Sequence, residues 1–168
     1  NFIMIKSAIY FHGLESSPGG IKVDFLKQEA DFVEAPAMDY TKEGIFEEWL
    51  DYVKTEEPDL IVGSSMGGYF AIALATHTGI PVLVFNPAVH SRKFEIEGLG
   101  SGTKKAKGIV VLGMNDKVIN PIDTKKMLDG DWNDLVIMPQ LGLEHRIPLD
   151  TFIDMYHKTI DRIKDGKL

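Results

Sequence analysis

The stretch Gly63-Ser64-Ser65-Met66-Gly67 has the form G-x-S-x-G. A serine hydroxyl becomes an effective nucleophile only where a base can take its proton. It must also stand clear of its surroundings. A sharp turn between a strand and a helix achieves this by lifting Oγ above the strand end, with glycines on either side where a side chain would strike the neighbouring elements. The context fits. Leu60-Ile61-Val62 precedes the motif as a buried strand, and Gly68-Tyr69-Phe70-Ala71-Ile72-Ala73-Leu74-Ala75 follows it as a packed helix. Ser64 is the neighbouring hydroxyl, but only Ser65 lies between Gly63 and Gly67. The chemistry in prospect is acyl transfer, and it needs a base and an acid downstream.

Both are present. Gly108-Ile109-Val110-Val111-Leu112-Gly113 reads as a buried strand, and Asp116 lies just past its end. Asp134-Leu135-Val136-Ile137-Met138-Pro139 reads as the last strand, followed by Gly142-Leu143-Glu144-His145-Arg146. Serine, acid, histidine is the chain order that accompanies an elbow nucleophile. In these roles His145 is general base and then acid, while Asp116 sets the imidazole tautomer and stabilises the imidazolium. The rivals are placed differently. Asp123 follows Pro121 in what reads as the first turn of a helix, where acids are favoured. His77 and His157 lie within helical runs, and His90 lies in a short polar segment.

A third motif sits near the start, where the strand Ser7-Ala8-Ile9-Tyr10-Phe11 ends in His12-Gly13-Leu14. His12 is expected to shape this loop. The backbone N–H groups of Met66 and Leu14, with Gly13 as an alternative to Leu14, are expected to hold the oxyanion of a tetrahedral intermediate. By loop position alone, Met38, Tyr40, Pro87, Val118 and Ile119 are candidates for the acyl pocket, and Tyr69 is either core or pocket wall.

Together these residues resemble the α/β-hydrolase superfamily. More closely, Tyr10-Phe11-His12-Gly13-Leu14-Glu15-Ser16-Ser17-Pro18, Gly63-Ser64-Ser65-Met66-Gly67-Gly68-Tyr69 and Asn86-Pro87-Ala88 are similar to segments of the small YqiA-type bacterial esterases. The resemblance runs from about Ser7 to about Tyr156 and departs at Leu14-Glu15, where that family more often carries an aromatic and an amide. It implies a serine esterase that needs no cofactor. It also implies a minimal single-domain α/β-hydrolase fold of about six parallel strands, in the order 2-1-3-4-5-6, with helices on both faces and no large cap. Lids in that superfamily usually follow the strand after the elbow. Here that segment, Asn86 to Lys107, is short and polar, with room for a brief helix at His90–Glu97, so an open site is expected.

The elements needed to position these residues are legible as well. The strand-like runs are continuously apolar, as in parallel sheets covered on both faces. Between them Ile45, Phe46, Trp49, Leu50 and Val53 form one apolar stripe, and Leu149, Phe152, Ile153, Tyr156, Ile160 and Ile163 another. Alternating strands and helices imply right-handed crossovers and ligands at the carboxyl ends of the strands.

The length of 168 residues predicts one domain over 1–168, with Asn1–Ile3 ahead of Met4 read as a cloning remnant or an alternative start. A net charge of −7 argues against nucleic acid as a partner, and the basic cluster Lys104-Lys105-Ala106-Lys107 reads as a solvated loop. The chain has no cysteine, which excludes disulfides, thiol catalysis and cysteine zinc sites, and its scattered histidines give no metal motif. Gly98-Leu99-Gly100-Ser101-Gly102 lacks dinucleotide spacing and does not form a P-loop. No apolar run approaches the ~20 residues of a membrane span, and the cytoplasm is the expected location. The expected partner is a small-molecule ester or thioester, not nucleic acid or a membrane. An acyl-CoA thioesterase using the same machinery, and a catalytically silent binding module, are the alternatives. Oligomeric state is not legible, because exposed helix faces and dimer faces read alike.

Overall fold

A computed structural model describes residues 5–90 and 99–168 of the chain. The expected helix at His90–Glu97 falls almost wholly outside the described residues. Strands and helices alternate from the start: β1 Ile5–Phe11, α1 Ile21–Glu29, β2 Ala30–Glu34, α2 Ile45–Glu56, β3 Leu60–Ser64, α3 Met66–Thr78 and β4 Val82–Phe85. They continue with β5 Ala106–Gly113, α4 Pro121–Met127, β6 Asn133–Gln140 and α5 Leu149–Lys164. The six strands form one sheet in the order β2-β1-β3-β4-β5-β6, and every pairing is parallel. The fold is that of a minimal α/β hydrolase, as the resemblance implied.

The middle of the sheet explains the continuous apolar runs. Leu60, Ile61 and Val62 in β3 and Val82, Leu83 and Val84 in β4 are all fully buried, because helices cover both faces. On one face α1 and α5 pack through Val23, Leu26, Phe152, Met155 and Tyr156. On the other, α2 and α3 pack through Phe46, Val53, Phe70 and Ile72. Helix α3 is buried from Met66 to Thr76, all round, so it shows no polar face. The amphipathic stripe of α5 is wider than the sequence spacing suggested. Met155 and Thr159 also point inward, and the Thr159 hydroxyl is satisfied by the Met155 carbonyl at 2.8 Å.

Strand bounds move by a few residues where local chemistry competes. β2 starts at Ala30, ahead of its apolar pair Phe32-Val33, because α1 passes straight into extended backbone there and Ala30 pairs with Ile5. Phe32 is left exposed on this edge strand. β6 runs through Pro139, which is tolerated because β6 is the opposite edge. β5 begins at Ala106, so the basic cluster is not wholly loop; its alanine is buried while Lys104 and Lys105 are exposed.

Register sets the site. Phe11 pairs with Gly63, Ser64 with Phe85, Phe85 with Val111 and Gly113 with Gln140. The carboxyl ends of β1, β3, β4, β5 and β6 therefore come level along one edge. The residues that follow them (His12, Ser65, Asn86, Asp116 and His145) share that edge although they span most of the chain.

Candidate active site

Ser65 sits between β3 and α3 with φ 54° and ψ −117°, a strained conformation for a residue with a side chain. Such strain costs about 1–3 kcal/mol and persists only where the surroundings enforce it. Here the Ser65 N–H donates to the Phe85 carbonyl at 2.9 Å. The Ser65 carbonyl accepts from Gly68, Tyr69 and Ala88 at 3.0, 3.1 and 2.9 Å. The motif glycines allow the close approach: a Cβ on Gly67 would collide with the Phe11 carbonyl, and one on Gly63 with the Gly67 carbonyl.

Asp116 and His145 meet 29 residues apart in sequence. His145 Nδ1 lies 2.7 Å from Asp116 Oδ2. The other carboxylate oxygen, Oδ1, accepts from the Val118 and Ile119 N–H groups at 2.8 and 2.9 Å. With the Asp116 side chain fully buried and Oδ1 committed to the backbone, Oδ2 is the oxygen left for the imidazole. A carboxylate only accepts, so Nδ1 carries the proton and Nε2 of neutral His145 holds the lone pair.

The loop after β1 is built around His12. Its Nε2 accepts the Met38 N–H at 2.8 Å, which fixes the proton on Nδ1, and Nδ1 donates to the Gly13 carbonyl at 2.6 Å. Ser16 adds bonds to the same carbonyl from N–H at 3.3 Å and from Oγ at 3.2 Å. No peptide among the described residues is cis. In a trans peptide the N–H points opposite the C=O, so the anchored Gly13 carbonyl also fixes the direction of the Leu14 N–H. Gly13 lies directly against the elbow, where a Cβ on it would stand 3.4 Å from Ser65 Cβ.

Ser65, His145, Met66, Gly13 and Leu14 line one cleft of about 1280 Å³. Val118 and Ile119 line it too. Four other sequence candidates do not, because a position on the right edge does not fix where a side chain points. Tyr40 is buried, and its hydroxyl donates to the His12 carbonyl at 2.5 Å. Met38 packs on the core behind His12. Tyr69 is fully buried beneath the elbow, and Pro87 is buried against Gly68. The other histidines stand elsewhere: His77 packs on Phe46, His157 on Phe25, and His90 faces the Asn120 carbonyl. Asp123 lies in the first turn of α4, capped by Asn120, as expected.

Asn86, at the end of β4, is the main site residue that sequence reasoning left without a role. It is buried, with φ 45°, a conformation Asn tolerates better than most residues. Its Oδ1 accepts from the Gly113 N–H at 2.8 Å, and its Nδ2 donates to the His145 and Glu144 carbonyls at 2.7 and 3.3 Å. One side chain thus ties the end of the strand carrying the acid to the loop carrying the histidine. Tyr10 also lines the cleft, with its hydroxyl 3.3 Å from Ser64 Oγ; burial pushes its phenol up, partly offset by that bond, so it stays protonated.

Residues 7–108 match the family described as Uncharacterised protein family (UPF0227). The chain belongs to that family. The matched stretch contains the elbow and ends before Asp116 and His145. A comparison with curated protein sequences finds no match. Among solved structures, a protein from Xanthomonas campestris ascribed to the alpha/beta hydrolase superfamily is 16% identical. The match covers 97% of this chain and 99% of that one, with a TM-score of 0.70. Esterase PE8 is 14% identical over 94% of this chain and 93% of its own, with a TM-score of 0.69. SOBER1 from Arabidopsis thaliana is 14% identical over 94% and 99%, with a TM-score of 0.64. At these identities the likeness is one of fold. Among the described residues no helix is long and apolar enough to cross a membrane, and no three His, Asp or Glu side chains cluster to hold a metal ion.

Proposed function

We propose that this UPF0227 member is a serine hydrolase that cleaves carboxylic esters through an acyl-enzyme. The observation that carries the reading is the 2.7 Å contact between His145 Nδ1 and Asp116 Oδ2 in a cleft wall that also holds the strained Ser65. Ser65 Oγ attacks the ester carbonyl carbon while His145 Nε2 takes its proton. The developing oxyanion is held by the backbone N–H groups of Met66, at the start of α3, and Leu14. Collapse of the tetrahedral intermediate breaks the bond to the alkoxy oxygen, and His145 returns its proton to the departing alcohol. Water then attacks the acyl-enzyme by the same route, with His145 again as base, and releases the acid. Asp116 stays ionised throughout.

The deciding experiment is labelling with a fluorophosphonate together with ester hydrolysis, in the wild type and in Ser65→Ala. Rapid stoichiometric labelling of Ser65 is expected, with both signals lost in the variant. A wild type that neither labels nor hydrolyses would instead favour a silent binding module.

A further inference from the structure

The cleft that holds Ser65 and His145 is charged unevenly. Lys22, in the first turn of α1, and Arg146, beside His145, both line it. Glu15 is the one carboxylate among its described lining residues. The chain as a whole has the opposite bias, with 25 acidic against 18 basic residues, so two cations on this wall go against the general distribution. Neither side chain has an ion-pair or hydrogen-bond partner among the described residues. The Lys22 ammonium instead lies 5.8 Å from the centre of the Phe152 ring. Burial holds Lys22 below the usual lysine range, and the Arg146 guanidinium lowers it further. Two cations that repel each other across one cleft are a standing cost that a bound anion would relieve.

The backbone works in the same direction. Both α1 and α5 begin on this wall, and neither N-cap, Gly20 or Pro148, supplies a side-chain cap. Helix starts carry partial positive charge. The first-turn acids Asp24 and Asp150 do not line the cleft. Val118, Ile119 and Phe85 supply apolar surface in the same cleft, whose volume of about 1280 Å³ leaves room for more than a short acyl chain.

We propose that the substrate is an ester bearing an anionic group, a carboxylate or a phosphate, and that Lys22 and Arg146 bind that group. As a statement about hydrolysis this rests on the reading of Ser65 as nucleophile, but binding of the anion can be measured without it.

The test uses matched pairs: monomethyl glutarate against dimethyl glutarate, with the anion on the acyl side, and 2-(phosphonooxy)ethyl acetate against 2-hydroxyethyl acetate, with it on the alcohol side. At low ionic strength kcat/KM should favour the anionic member of at least one pair by about tenfold or more, and added salt should shrink the preference. The pair that shows it identifies which combination the site takes, a carboxylate on the acyl side or a phosphate on the alcohol side. In the double variant Lys22→Gln/Arg146→Gln, checked for folding by its melting transition, the ratio should fall to about one; Lys22→Arg should retain it. Calorimetry on Ser65→Ala with the same anionic esters reads binding alone. Binding without hydrolysis in the wild type would overturn the nucleophile assignment and leave the anion site standing. Hydrolysis of the neutral esters, with no anion preference in either pair and no binding, would overturn the anion site alone. A preference that survives the double variant would show that other groups hold the anion.

Discussion

At the scale of single residues the site makes sharp predictions. With Ser65 as the proposed nucleophile, Ser65→Ala should reduce kcat by on the order of 10⁴-fold or more with the fold intact, since no hydrogen bond among the described residues depends on its hydroxyl. Its neighbour Ser64, bonded to Tyr10, should tolerate alanine with little loss. Asp116→Asn should also cost about 10⁴ in kcat, because an amide at Oδ2 can donate to Nδ1 and drives the proton to Nε2, the wrong tautomer for a base. The pH profile separates the two histidines near the elbow. His145 must have an unprotonated Nε2, so kcat/KM should fall as pH is lowered through a single protonation and be flat above it. His12 uses both ring nitrogens on backbone groups, so His12→Ala should lower the rate yet keep that acid limb. An acid limb that disappears with His12 and survives without His145 would reverse the assignment of the base.

At the scale of elements the question is what keeps the strand ends in place. Asn86 joins β4, the end of β5 and the histidine loop with three side-chain hydrogen bonds. Asn86→Ala leaves buried polar groups unpaired and puts a less tolerant residue at φ 45°, so a loss of about 2–4 kcal/mol is expected in chemical denaturation. Misplacing His145 should lower kcat on the order of 10²-fold with less change in KM. The end of β5 is also packed without slack: a Cβ on Gly113 would collide with the Glu144 carbonyl and stand 2.6 Å from that of Leu143. Gly113→Ala should therefore push the histidine loop away from Asp116. Its signature is weaker fluorophosphonate labelling at unchanged secondary structure by circular dichroism; full labelling would show that the loop adjusts elsewhere.

At the scale of the whole molecule, burial couples the fold to alkaline pH. Tyr40 and Tyr156 are buried, and this raises both phenols well above the ordinary 10.0, with smaller contributions from Tyr10 and Glu29. Below pH 10 both are protonated in the folded and unfolded chains, and their contribution to stability is complete. Above it the unfolded chain releases protons that the folded chain retains, so stability declines as pH rises. Lys22 acts in the opposite sense: its lowered value is a cost at neutral pH that disappears as pH rises toward 10.5. Tyr10 and Tyr52 shift in the same direction as Tyr40 and Tyr156, so with four tyrosines against one lysine the melting temperature should drop from about pH 10 upward. The double variant Tyr40→Phe/Tyr156→Phe should flatten that drop; an equally steep decline would place its origin elsewhere.

Sequence alone determined what is local or periodic. Continuous apolar runs marked the strands of a sheet covered on both faces, and one helical stripe each marked α2 and α5. Gly63 and Gly67 marked the elbow, because no side chain fits where those backbones touch their neighbours. The order of Ser65, Asp116 and His145 followed from strand ends, and parallel topology then required those ends to share one edge. Tertiary structure decided everything that depends on side-chain direction. Tyr69 could have faced core or cleft, and only the packing of α3 beneath the elbow turned it inward. Met38 and Tyr40 lay on the correct edge but point behind His12, which they support. Asn86 carried no chemical signature of its own, because its role consists of bonds to residues 27, 58 and 59 positions away. Lys22 and Arg146 were ordinary surface charges in sequence, and they became a pair only when α1 and the loop before α5 were folded onto the same face of the sheet.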